Sequence, residues 1–265
     1  MGNFQEATAL DRRSETEFDA ELDPQWSVGG KLHGGYLLAV LGRAAAELSP
    51  SHPHPTAISG SFSAPPDAGP ARVTVEVLRA GRGLTQLRAR LAQNGKPCVE
   101  ALVTQGLLDD EGPWWSGVEP IDIPPEEDCV PAPAEAPGAG FRVDLMDVVE
   151  QRLDPRVVGF AVGKPARGGV ISSWQRLADG ADWDPLSLLV ALDPVPPVSY
   201  DLGLSGWAPT VQFTAYLRRL PAPGPIRVRM TAGDVGGNRM DEVAQAFDSK
   251  DRLVAQATQI AGVRH

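Results

Sequence analysis

The chain has 265 residues, 42% of them apolar and 22% charged, enough for a sizeable core in one large domain or two small ones. Its 34 acidic and 24 basic residues give a formal net charge of -10, which argues against a nucleic-acid binder, because phosphate neutralisation needs clustered Lys and Arg. Two cysteines, Cys98 and Cys129, form neither a disulfide framework nor a C-x-x-C motif, so a reducing, cytoplasmic setting is expected.

Residues 1–11 lack a basic segment followed by an apolar one, so no signal peptide is expected. No uncharged apolar run reaches the ~18 residues of a membrane span. The first clear element is a helix over 35–48. Leu37, Leu38, Val40, Leu41, Ala44, Ala45 and Leu48 cover most of its circumference, which predicts burial on all sides. Val73, Val75 and Val77 then alternate with Thr74, Glu76 and Leu78 in a strand. A turn at 80–83 leads to a second alternating run over 85–93. Asn94-Gly95 signals a two-residue hairpin, and 98–105 returns as a third strand.

The segment 109–140 is dense in Pro, Gly and acidic residues, poor material for a helix or a central strand, and reads as a long connection. Beyond it the order repeats: a short apolar helix near 185–192, then strands over 211–219, 226–232, 240–247 and 253–263. At an offset of 155, Gly69-Pro70 falls on Gly224-Pro225, Arg72-Val73 on Arg227-Val228 and Val99 on Val254. At 154, Pro55-Thr56 falls on Pro209-Thr210 and Phe62 on Tyr216. Two copies of one unit are expected, at 1–108 and 141–265, each a curved antiparallel sheet around one buried helix.

Several chemistries find no support. There is no G-x-S-x-G elbow and no P-loop, and Gly81-Arg82-Gly83 is no dinucleotide loop. His52 and His54 sit in a Pro-rich loop without companions at metal spacing, so no metal is expected. Arg218 and Arg219, with Arg79 or Arg82, read either as solvated strand ends or as phosphate contacts. Trp114-Trp115 reads as a tunnel cap or as an anchor for the connection.

Four stretches carry a resemblance: His33-Gly34-Gly35-Tyr36 at the first helix start, LRAGRGLTQLRARLAQNGKPCVEA over 78–101, GWAPTVQFTAYLRRLP over 206–221 and DRLVAQATQIAGVR over 251–264. Over 26–107 and 170–264 the chain resembles acyl-CoA thioesterases of the type II, double-hotdog family. The resemblance implies an α+β fold of two antiparallel sheets, each wrapped around a central helix, joined into one continuous sheet. It implies hydrolysis of an acyl-CoA to free acid and CoA, with CoA as part of the substrate and no separate cofactor. A homo-oligomer is left open. The family's Asp, Thr and Gln fall on Asp193, Thr210 and Gln259 of the second copy, and its backbone donors on Gly34 and Gly35, with His33 beside them.

The chemistry suits that set. A thioester carbonyl gains negative charge as water attacks, and free N–H groups at a helix start are donors aimed outward. Asp193 would act as general base or attack directly to give an anhydride, with Thr210 and Gln259 holding the water or the carboxylate. Each residue has a plainer reading. Asp193 precedes Pro194 and stops a helix, although a carboxylate after Leu-Leu-Val-Ala-Leu sits at a helix's negative end, where its charge is disfavoured. Gln259 alternates with Ala257 and Ala261 and needs a hydrogen-bond partner. Thr210 shares the spacing of Gln212 and Thr214, and Thr is common in strands. His33 reads first as a helix-entry residue. Copy one holds Gly42 and Thr104 where copy two holds Asp193 and Gln259, and copy two starts its helix with Trp183-Asp184-Pro185-Leu186. One site per chain is expected, shared between the copies. The alternatives are a non-catalytic acyl or acyl-CoA binder and an enoyl-CoA hydratase, for which His33 would need an acidic partner distant in sequence.

Overall fold

The computed structural model describes residues 3–138, 140–193 and 195–263. Elements follow in the order α1 (Phe4–Ala7), β1 (Leu10–Arg12), β2 (Glu17–Leu22), β3 (Ser27–Val28), β4 (Lys31–Leu32), α2 (Gly34–Glu47), β5 (His54–Phe62), β6 (Gly69–Ala80), β7 (Thr85–Gln93) and β8 (Lys96–Gly106). The second part continues with β9 (Val130–Pro131), β10 (Val149–Leu153), β11 (Val170–Leu177), α3 (Leu188–Leu192), β12 (Thr210–Leu217), β13 (Ile226–Gly236), β14 (Arg239–Phe247) and β15 (Leu253–Gly262).

Thirteen strands form one antiparallel sheet in the order β1-β2-β6-β7-β8-β5-β12-β15-β14-β13-β11-β10-β9. The order is mirrored about the β5–β12 seam, where Gln212 lies opposite Ser61 and Tyr216 opposite Ala57. Each half therefore runs strand, helix, four strands: β2-α2-β5 to β8, then β11-α3-β12 to β15. The expected double hotdog with a continuous sheet is what the chain forms. The glycines that open corresponding strands, Gly69 and Gly224, share one backbone conformation, at φ 111° and 105°, a region open to glycine and strained for other residues. Asn94 and Gly95, at φ 53° and 75°, make the primed hairpin turn between β7 and β8.

Among the strands that went unread in the sequence, β2 and β11 are instructive. β2 alternates cleanly, with Phe18, Ala20 and Leu22 inward, but its outward Glu17, Asp19 and Glu21 disguise it as a charged loop. In β11 the alternation breaks, because Ser172 and Ser173 are both buried. The 109–140 segment carries β9, which pairs only with β10 at the sheet edge, where a residue without an N–H such as Pro131 is tolerated.

The core lies in the concavity. Tyr36 to Leu41, Ala44 and Ala45 of α2 are all buried, as is every residue of α3. At about 1.5–3 kcal/mol for each fully buried large apolar side chain, this pair of helices supplies much of what holds the sheet curved. Asp184 and Ser187 cap each other before α3: Ser187 N–H donates to Asp184 Oδ1 (2.7 Å) and Asp184 N–H to Ser187 Oγ (2.8 Å). Regular helix therefore begins at Leu188, later than the expected start near 185, and ends after five residues. Pro194, which follows Asp193, lies outside the described residues.

Candidate active site

The two helices meet end to side at Gly35. A Cβ there would lie 2.1 Å from Leu189 O, so only glycine lets α2 start this close to α3. That packing is a structural reason for the glycine, besides the backbone-donor role that the resemblance implied. His33 caps α2: its Nδ1 accepts the Tyr36 N–H at 3.4 Å, which leaves the proton on Nε2, and Nε2 donates to Asp193 O at 3.1 Å. The same Nε2 lies 3.4 Å from Asp193 Oδ2. The acidic partner that His33 lacks in sequence is thus supplied by the other half of the molecule.

Asp193 follows the last residue of α3 and is 7% exposed. Its Oδ2 accepts the Gly35 N–H at 2.9 Å and its Oδ1 the Thr210 hydroxyl at 3.1 Å. The carboxylate therefore faces the start of the 14-residue α2. The Gly35 donor is likewise engaged by Asp193 and does not stand free as an oxyanion donor. Gly34 N–H has no acceptor among the described residues.

Thr210 enters the interior through an irregularity. Between Thr210 and Gln212 the register of β12 against β15 shifts, so Phe213 and Ala215 face inward while Gln212 and Thr214 face outward. Thr210 does not share a face with those two residues, as strict alternation had suggested; the bulge re-aims it. Thr214 instead bonds Ser59 across the seam at 2.8 Å. Thr210 Oγ also lies 3.1 Å from Gln259 Oε1, and its one proton serves Asp193 or Gln259 at a time. Gln259 faces inward between Ala257 and Ala261, as alternation predicts.

Sequence reasoning missed the partner of Gln259. Glu242, on the neighbouring strand directly opposite it, is buried and accepts from Gln259 Nε2 and from Val198 N–H (3.0 Å). Burial, with Asp193 and Asp241 nearby, pushes its carboxyl up to about 7 against the pull of those two hydrogen bonds. The clue was available: Met240, Ala244 and Ala246 mark the apolar face of β14, and Glu242 shares their phase.

His33, Gly34, Asp193, Thr210 and Gln259 line one cavity of about 370 Å³. Its walls are mostly apolar and come from Leu37, Phe62, Met146 and two aromatic pairs, Phe141 with Trp207 (6.0 Å between centroids) and Phe160 with Tyr200 (5.7 Å). The Pro-rich segment adds Ala132, Pro133 and Pro137, and Lys31 is the lining cation among the described residues. Other expected contacts lie elsewhere. Trp114 and Trp115 are exposed at 101% and 75% and line nothing here. Arg218 lies over Tyr216, and Arg219 donates to Leu253 O. His52 bonds Thr85 and Arg82 O, and His54 accepts the Leu108 N–H.

In the first half, Gly42 stands where Asp193 would be, and its carbonyl accepts from Gln105 Nε2 at 3.1 Å. Thr104 is not the counterpart of Gln259, because it lies on the outward phase of β8 with Leu102, while Val103 and Gln105 face inward.

Residues 22–106 match the model of the acyl-CoA thioesterase N-terminal domain, and 126–263 that of the acyl-CoA thioesterase C-terminal domain. An uncharacterised protein of Mycobacterium tuberculosis strain H37Rv is 33% identical over 93% of this chain and 90% of its own length. The structure of a thioesterase II candidate from Thermobifida fusca superposes with a TM-score of 0.90 at 31% identity, covering 100% of this chain and 98% of that one. An acyl-CoA thioesterase II from Mycobacterium marinum shares the fold at a TM-score of 0.73 and 17% identity, over 99% of this chain and 98% of that one.

Proposed function

The chain belongs to the acyl-CoA thioesterase family, and on that premise we propose that it hydrolyses an acyl-CoA thioester at one site built jointly by its two halves. One observation carries the reading: a buried carboxylate, Asp193, held between the Gly35 N–H of the first half and the Thr210 hydroxyl of the second, in the wall of an apolar cavity.

Asp193 takes a proton from a water molecule as the water oxygen bonds to the thioester carbon. The carbonyl oxygen gains charge beside the start of α2, where Gly34 N–H is the nearest candidate donor. The C–S bond then breaks, and the thiolate of CoA takes up the proton. Thr210 and Gln259 fix the carboxylate and the water, and the aromatic pairs receive the acyl chain. Direct attack by Asp193, giving an anhydride that water opens, uses the same residues.

The His33–Asp193 pair also suits hydration of an enoyl thioester. Against this, both imidazole nitrogens already have protein partners, Tyr36 N–H and Asp193 O. Neither is left for substrate.

The test is free-thiol release from short, medium, long and aromatic acyl-CoAs by the wild type and Asp193→Asn. Hydrolysis by the wild type and a loss of at least ~10²-fold in kcat by the variant uphold the reading. Binding without thiol release makes the protein an acyl-CoA binder. Loss of enoyl absorbance without thiol release makes it a hydratase.

A further inference from the structure

Gln259 can act on a water or on Asp193 only if its amide is turned the right way, and nothing in its own strand decides this. Its Oε1 faces Thr210 and its Nε2 faces Glu242. Glu242 is a cross-strand neighbour, fully inside the sheet, with its other oxygen tied to the Val198 N–H. It touches neither the cavity nor any substrate position, since the cavity wall stops at Gln259. A carboxylate accepts hydrogen bonds and donates none, so an ionised Glu242 admits only the NH2 end of the facing amide. We propose that Glu242 is the positioning residue of the site: as a carboxylate it turns Gln259 so that the amide oxygen faces Thr210 and the thioester-hydrolysing centre.

The relay has a second state. Protonated Glu242 carries an O–H, which donates to the amide oxygen of Gln259 and turns its NH2 toward Thr210. The Thr210 hydroxyl then accepts from Gln259, and its own proton is committed to Asp193 Oδ1. The charges that act on Glu242 are Asp193, beyond Gln259 at the end of α3, and Asp241 on its own strand. The turn after α3 contributes only the Val198 N–H, and β15 only the Gln259 amide. Burial first, and the two neighbouring carboxyl groups second, place the exchange of the two states near neutrality rather than near the ordinary carboxylate range. Protonation below about pH 7 switches Gln259 away from its working orientation.

The inference rests on the hydrolytic reading of the site, so its test has one readout that does not need turnover. Glu242→Gln keeps the shape and an acceptor for Val198 but presents an NH2 to Gln259. Expected is a fall in kcat of about 10- to 100-fold with KM within about twofold, and loss of the wild type's inflection in kcat near pH 7. In parallel, the Gln259 side-chain amide signal, assigned by its disappearance in Gln259→Glu, is followed by 15N NMR in the wild type. It should move with pH around a midpoint near 7. A variant with wild-type kcat and an unchanged inflection, or a Gln259 signal that does not move between pH 5 and 9, overturns the proposal. If the wild type releases no thiol, the NMR titration alone decides: movement near pH 7 upholds the Glu242–Gln259 relay while the hydrolytic reading falls. The wild-type titration also stands if Glu242→Gln does not fold.

Discussion

The helix of the first half, Gly34–Glu47, and that of the second, Leu188–Leu192, occupy corresponding places but meet the site with opposite ends. The first presents its start, capped by His33 and opened by two glycines, so it brings amide donors and a positive field. The second presents its finish, and Asp193 is the first residue past it. In the first half Gly42 removes the carboxylate, and Gln105 is occupied with a backbone carbonyl. In the second, Pro185 stands near the helix start and has no N–H to offer. The two copies of the unit thus differ at the cavity: one presents helix-start amides and the other a carboxylate, brought together where the start of α2 packs against the side of α3 at Gly35.

That contact is where the comparison breaks most severely. Gly35→Ala puts a methyl on the Leu189 carbonyl, against backbone that has no flexible end to move. Gly42→Ala meets only the tip of Leu186, at 2.7 Å. Urea unfolding should show a loss of about 3 kcal/mol or more for the first and about 1 kcal/mol or less for the second. Equal losses would mean that the two helices are not locked at Gly35. Thr210→Val removes the hydroxyl that joins Asp193 and Gln259 while keeping the volume. A hydrogen bond to a charged group is worth about 1.5–3 kcal/mol, so kcat should fall about 10- to 100-fold and urea unfolding should show a stability loss of the same order. An unaltered kcat would leave Thr210 a strand residue and nothing more. The smallest effect separates the two tryptophan positions. Trp207→Ala opens the cavity wall beside Phe141 and should raise KM about tenfold for long acyl-CoAs while sparing short ones. Trp115→Ala should leave KM unchanged and stability within about 0.5 kcal/mol. The opposite pattern would return the exposed pair to the role of tunnel cap.

Much of this division is legible along the chain. Unlike helix starts, His-Gly-Gly against Trp-Asp-Pro-Leu, and Gly42 against Asp193 already say that the copies differ in kind. Gln259 declares itself as an amide in the apolar phase of its strand. Glu242 does so by the same test, in a strand where Met240, Ala244 and Ala246 set the phase. Thr210 does not, because a bulge resets the alternation and leaves no mark in composition. Nor do the cavity walls, since Phe141 and Trp207 lie in irregular chain and Phe160 in a single short 3-10 helix, too brief for a periodic pattern.

By itself the sequence determined the two buried helices, the alternating strands and the turns between them, because these depend on near neighbours and on periods of 3.6 and 2. Through its resemblance to the type II thioesterases it also pointed to a carboxylate, a hydroxyl and an amide for the site. Tertiary structure alone decided which donor each of them meets. Asp193 reaches Gly35 across 158 positions of chain, and His33 reaches Asp193 across 160. Contacts of that range follow from how two helices cross inside one sheet, and local pattern carries no information about the crossing.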